Sequence, residues 1–187
     1  MTLLEVRAPD GAGSRPEHVW RSVLDAARAD VDGREGAVTA VRVGARPGTV
    51  LLWDRETLGS PCPVLGPGPW GEQLAGLARR EPHTWALLQE GTYALGGPEA
   101  YLVARMTLGT WHVTDLSHAG ASGLLDPARG TWSAQACARY GVPIDARPEL
   151  VEAGEPVGRT EPRTFLGLDV PLSVGPSVEP AVTDPHV

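Results

Sequence analysis

Residues 59–71, GSPCPVLGPGPWG, hold four prolines in thirteen positions. Each proline fixes one φ and removes one amide donor, so neither a helix nor a central strand can run through this stretch. Proline and glycine recur 18 and 23 times along the 187 residues. Regular elements must therefore be short, and loops must carry much of the chain.

Between these breaks the apolar spacing can be read. Pro16 suits the first turn of a helix, and Val19, Val23, Ala27 and Val31 follow at helical spacing until Gly33 and Gly36. AVTAVRVG (37–44) alternates like a half-buried strand, and TVLLWD (49–54) reads as a more buried one. Their tight connection predicts a hairpin. Trp70, Leu74 and Leu77 mark a short helix, Pro82 opens another through HTWALLQE (83–90), and Pro98 opens a third to about Thr107. Trp132 to Tyr140 reads as helix ending at Gly141, and TFLGLDVPLSVG is the one strand-like run beyond Pro143. The mixture predicts an α/β or α+β chain, with one domain over 1–175 and a loose tail over 176–187.

Composition removes several function classes. Hydrophobic residues make up 42% and the net charge is -7, which fits a folded core and not a nucleic-acid surface. All 16 basic residues are Arg, so no lysine Schiff base, lysine general base or P-loop lysine can exist. Lys and Asn are absent and Ile and Phe occur once each, which points to a GC-rich bacterial genome because their codons are AT-rich. Cys62 and Cys137 show no CxxC spacing, so no zinc or other metal site and no disulfide framework is indicated. No apolar run approaches the roughly 18 residues of a membrane span, and Met1 to Pro9 lacks the pattern of a leader. A cytoplasmic chain with no membrane or nucleic-acid partner is expected.

The stretch that concentrates chemistry is RMTLGTWHVTDLSHAGASGLLDPARGTW, residues 105–132. Asp115 can cap neighbouring backbone amides, and His118 reads first as an exposed loop histidine. His112 and Asp115 stand three apart and do not share a strand face. Ser122 in GASG lacks the G-x-S-x-G elbow of hydrolases. GPGPWG (66–71) matches a dinucleotide fingerprint in letters only, since its prolines remove amides a phosphate needs.

MTLGTWHVTD, the following DPARGTW turn, VLLWDRETLGSP, RPELVEAGEPVGRT and GLDVPLSVG occur in an order that resembles the FGGY carbohydrate kinase family, which includes glycerol kinases and xylulokinases. The resemblance covers most of residues 9–181. It implies an α/β fold, a single truncated ribonuclease-H-like (actin-like) domain of the sugar kinase type. It also implies a chain that begins after the family's phosphate-contacting hairpin and stops before its ATP-binding domain.

Carried over position by position, the family's Gln-Arg-Glu substrate clamp falls on Arg46, Pro47 and Gly48, and its Trp-x-x-Arg-Arg loop on Pro67 to Gly71. The family's Tyr falls on Leu116, its Asn on His118 and its catalytic Asp on Val178. These departures lead to the expectation of no phosphoryl transfer and no cofactor. Apolar replacements at sugar-contacting positions instead suggest an apolar small-molecule ligand in bacterial specialised metabolism, with cyclisation or isomerisation as the reaction class. Trp70, Trp53, Leu116 and Val178 are the expected lining, with His112 among its polar minority; His118, Asp115 or Arg46 would supply a proton or hydrogen bond. The bland reading puts Trp53, Trp85, Trp111 and Trp132 in the core. The alternative function is a non-catalytic remnant that serves as a binding or scaffold partner, and a face left bare would favour a homodimer.

Overall fold

Leu4, Val6, Val41, Val43, Leu172 and Val174 form one continuous apolar face, none more than 4% exposed. They come from three strands with side chains in register, β1 (Thr2–Arg7), β2 (Val38–Gly44) and β10 (Pro171–Val174). The structure, a computed structural model, describes residues 2–176. The expected tail therefore lies, beyond its first residue, outside the described residues, as does Val178.

Helix α1 (Pro16–Asp32) joins β1 to β2 as a parallel crossover. Its Pro16 occupies the first turn and its buried Val19, Val23 and Ala27 lie on one face, as their fourfold spacing requires. Gly33 closes the helix. Strand β9 (Pro156–Arg159) runs antiparallel beside β10, giving the order β1-β2-β10-β9. Arg34, held by Asp30 at 2.6 Å, donates to the Leu3 carbonyl and so satisfies an acceptor of the edge strand.

The predicted hairpin of the second and third strands does not form. Both edges of β2 are taken by β1 and β10, so β3 (Leu51–Asp54) pairs antiparallel with β4 (Tyr93–Gly96) instead. Between them run α2 (Trp70–Arg80) and α3 (Pro82–Gln89). The β3 pleat divides two cores. Leu51 and Trp53 face the main core, while Val50 and Leu52 face a second one with Trp70, Leu74, Leu77, Leu88 and Leu95.

Helix α4 (Pro98–Met106) packs between the main sheet and the β3–β4 ribbon. Ala100 to Ala104 are each at most 1% exposed, so its middle is buried on every side, as in a central helix. Strand β5 (Val113–Asp115) leads directly into α5 (Leu116–Ala121), so HVTDLSHAG is a strand and a short helix. The pair β6 (Leu125–Asp126) and β7 (Thr131–Trp132) precedes α6 (Ala134–Tyr140), which ends at Gly141 in the left-handed region. Strand β8 (Glu149–Val151) runs parallel to β5. Trp132 thus lies in a strand and Ser133 caps the helix expected from Trp132 onward. Among the described residues no helix is long and apolar enough to cross a membrane.

Where α2 meets α6, a Cβ at Gly71 would overlap the Tyr140 ring. Gly→Ala in a helix ordinarily gains up to about 1 kcal/mol. Here overpacking is expected to reverse the sign, so Gly71→Ala should cost about 1–3 kcal/mol in urea unfolding. A stabilised variant would show that the two helices can part freely.

Candidate functional site

Asp115 ends β5 and caps α5: its Oδ1 accepts the Ser117 and His118 amides at 2.7 and 3.2 Å. Its Oδ2 accepts from His118 Nδ1 at 2.6 Å, and His118 Nε2 donates to the Ala45 carbonyl at 2.9 Å. A carbonyl and an ionised carboxylate can only accept, so both ring nitrogens must carry a proton. His118 is therefore an imidazolium, though it is only 2% exposed. Glu99, from the first turn of α4, places Oε2 3.9 Å from His118 Nε2 and accepts from the Thr114 hydroxyl on Oε1 at 2.8 Å. Gly97 is required beside it, because a Cβ there would collide with the Glu99 carboxylate.

The titration of the cluster follows from these neighbours. Burial disfavours the charged imidazole, but the Glu99 charge and the Asp115 hydrogen bond and charge outweigh it, raising His118 to about 9. Burial likewise pushes Asp115 up, yet its bond and charge contact with His118 and the two amides hold it below the ordinary carboxylate range. The imidazolium is flanked by two carboxylates and no solvent, an arrangement that costs about 3–5 kcal/mol if one member is removed.

This cluster backs a cavity of about 240 Å³ at the carboxyl ends of the parallel strands, the usual place for a ligand in an open α/β sheet. Ala45 leads into Arg46, and Pro98 precedes Glu99. The walls include Pro9, Pro47, Pro67 and Pro98, with Thr49 as a polar member and Asp10 and Arg46 as the charged pair. Those two side chains meet at 3.0 Å and are 67% and 61% exposed, so their pairing adds little stability.

Of the described residues proposed from sequence, Arg46 alone lines this cavity. His118 and Asp115 lie behind its wall with their polar atoms engaged, and His118 is not the exposed loop residue its flexible-looking context suggested. Trp70 is 1% exposed and packs in the second core against Trp132, with ring centroids 6.2 Å apart. Trp53 is 2% exposed, with the His112 ring edge-on at 5.0 Å. His112 bonds the Leu95 carbonyl at 2.9 Å, and burial lowers its pKa to about 4, so it is neutral. Leu116 points outward at 40% exposure. Pro9, Asp10 and Glu99 went unnoticed in the sequence and Pro98 was read only as a helix opener, although TLLEVR alternates as an edge strand does and Glu99 follows that proline. Cys62 and Cys137 are free thiols. Among the described residues no group of three or more His, Cys, Asp or Glu side chains could hold a metal ion.

Residues 72–177, more than half of the chain, match the N-terminal domain of the FGGY family of carbohydrate kinases. A glycerol kinase of Cereibacter sphaeroides is 28% identical over 192 residues, covering 84% of this chain and 38% of that protein. The chain thus spans about two fifths of the length of the curated relatives it matches. Plasmodium falciparum glycerol kinase with ADP superposes at a TM-score of 0.76 with 12% identity, over 94% of this chain and 49% of that one. A xylulose kinase from Brucella ovis does so at 0.74 with 20% identity, over 90% and 40%. These solved structures show that the fold is the ribonuclease-H-like, actin-like fold of the sugar kinases, of which the chain forms part.

The raised His118 pKa stabilises the fold fully below the ordinary histidine value of 6.5 and ceases to do so above about 9. The melting temperature should therefore fall between pH 6.5 and 9 in wild type. His118→Gln should lose about 3–5 kcal/mol at neutral pH and show a flatter profile over that range. A wild-type profile that is flat there, or rises, would contradict the charged cluster.

Proposed function

The chain belongs to the FGGY family of carbohydrate kinases, and on that premise we propose that it is a repurposed member that holds an apolar small molecule beside Arg46 and transfers no phosphoryl group. The supporting observation is the wall of the cavity, in which four prolines and Ala12 outnumber Thr49 and one exposed ion pair. Arg46 and Pro47 occupy positions that the family resemblance gives to a polar sugar clamp, and Pro67 the Trp position of its Trp-x-x-Arg-Arg loop. Asp10, Arg46 and Thr49 can pair some hydroxyls, but those of a polyol turned toward the proline rings would be left without partners, at about 1–3 kcal/mol each. An apolar body gains by leaving water against the same rings.

Val178, at the position of the family's catalytic Asp, has no proton-accepting group. His118 and Asp115 are committed to each other and to backbone, so on this reading they shape the pocket and exchange no proton with the ligand. Cyclisation or isomerisation is then limited to what shape and the Arg46 guanidinium can supply, by holding one conformer of a flexible chain.

The probe N-phenyl-1-naphthylamine tests the reading by fluorescence titration. Saturable binding is expected, weakened about tenfold, the equivalent of ~1.4 kcal/mol, by Pro47→Arg, which places a charge against the apolar wall. Incubation with γ-labelled ATP and glycerol or xylulose should yield no labelled polyol phosphate. Labelled product, or probe binding unchanged in a folded Pro47→Arg protein, would refute the proposal.

A further inference from the structure

A second site lies away from the Arg46 cavity and does not depend on the reading given to it. Core placement was the bland expectation for Trp111, yet it is 38% exposed among the described residues. Its backbone is held firmly. Leu108 and Gly109 adopt left-handed φ values of 51° and 78°, and the Trp111 amide donates to the Thr107 hydroxyl oxygen at 3.2 Å. That hydroxyl donates in turn to the Val103 carbonyl at 2.8 Å. A leucine in the left-handed region is strained, and such strain persists only where the surroundings enforce it.

The indole lies against the backbone of β9 at Gly158, where any Cβ would overlap its Nε1 and Cδ1. Glycine at 158 therefore lets the strand support the ring. The open part of Trp111 borders a cavity of about 260 Å³ whose other walls include Thr110, Arg159, Glu161 and Asp169. Arg159 donates to the Asp169 carboxylate and carbonyl, both at 2.6 Å. Glu161 accepts from Arg163 at 2.8 Å. Each carboxylate already holds a guanidinium, so neither a free anion nor a free cation finds an uncompensated charge. The exposed carboxylate and guanidinium edges and the Thr110 hydroxyl still present acceptors and donors side by side.

We propose that Trp111 and the Arg159–Asp169 pair form a binding site for a neutral sugar ring. A pyranose has an apolar C–H face that stacks on an indole and a rim of hydroxyls that both donate and accept. Those are the two surfaces this cavity offers together. The ring supplies most of the buried area at low entropic cost, and the ion pair fixes orientation.

Saturation-transfer NMR on the full chain tests this with D-glucose, D-xylose, glycerol and choline as separate probes. Transfer to the C–H protons of one pyranose face is expected, with weaker transfer to glycerol and none to choline. Trp111→Ala should abolish it, and Gly158→Ala should do the same by displacing the indole. Trp111→Phe should keep a reduced signal, and Pro47→Arg should leave it intact because that residue lines the other cavity. Absence of transfer to any sugar in the folded wild type would overturn the proposal. So would equal transfer in folded Trp111→Ala, or a choline signal exceeding those of the sugars, which would mark a cation site.

Discussion

A buried imidazolium holds the functional end of this fold together. His118 ties α5 to the end of β2 through Ala45, to the end of β5 through Asp115, and lies against the first turn of α4 through Glu99. Four separate elements thus converge on one charge that is 2% exposed. The loop that carries Arg46 and Pro47 follows Ala45 directly, so the cavity wall inherits its position from this bond. Because both ring nitrogens donate, the imidazole has no spare lone pair and acts as a fastener, while Glu99 Oε2 lies buried beside it without a hydrogen-bond partner. The polar atoms of the cluster face one another and leave the prolines to face the cavity.

Much of the helical frame was legible from single residues. Pro16, Pro82 and Pro98 each open a helix where their missing amide is harmless, while Gly33 closes the helix that Pro16 opens and Gly141 closes α6. The proline-rich run at 59–71 is irregular up to Trp70, as its composition requires. Pairing was harder to read. The short distance between AVTAVRVG and TVLLWD suggested a hairpin, but pairing depends on which strand edges remain free. Those of β2 are taken by strands from the two ends of the chain. TLLEVR escaped notice because its alternation spans only six residues.

The site was half legible for a related reason. Asp115 followed three residues later by His118 is a cap spacing that sequence can show, and its cap role was anticipated. That the same carboxylate would also hold the imidazole depended on Ala45 and Glu99, 73 and 19 positions from His118. Trp70 was expected to start a helix and to line a ligand cavity; it begins α2, but it points into the second core. Trp111 looked like core because most tryptophans are, yet a left-handed turn before it carries it to the surface.

Long-range proton–nitrogen NMR of the His118 ring at pH 8 tests the central claim most directly. Both ring nitrogens should appear protonated, with exchange slow enough to see their hydrogens. A neutral ring with one bare nitrogen at that pH would contradict the buried imidazolium, and with it the reading that this end of the fold is fastened by charge and leaves only its proline-lined face for a ligand.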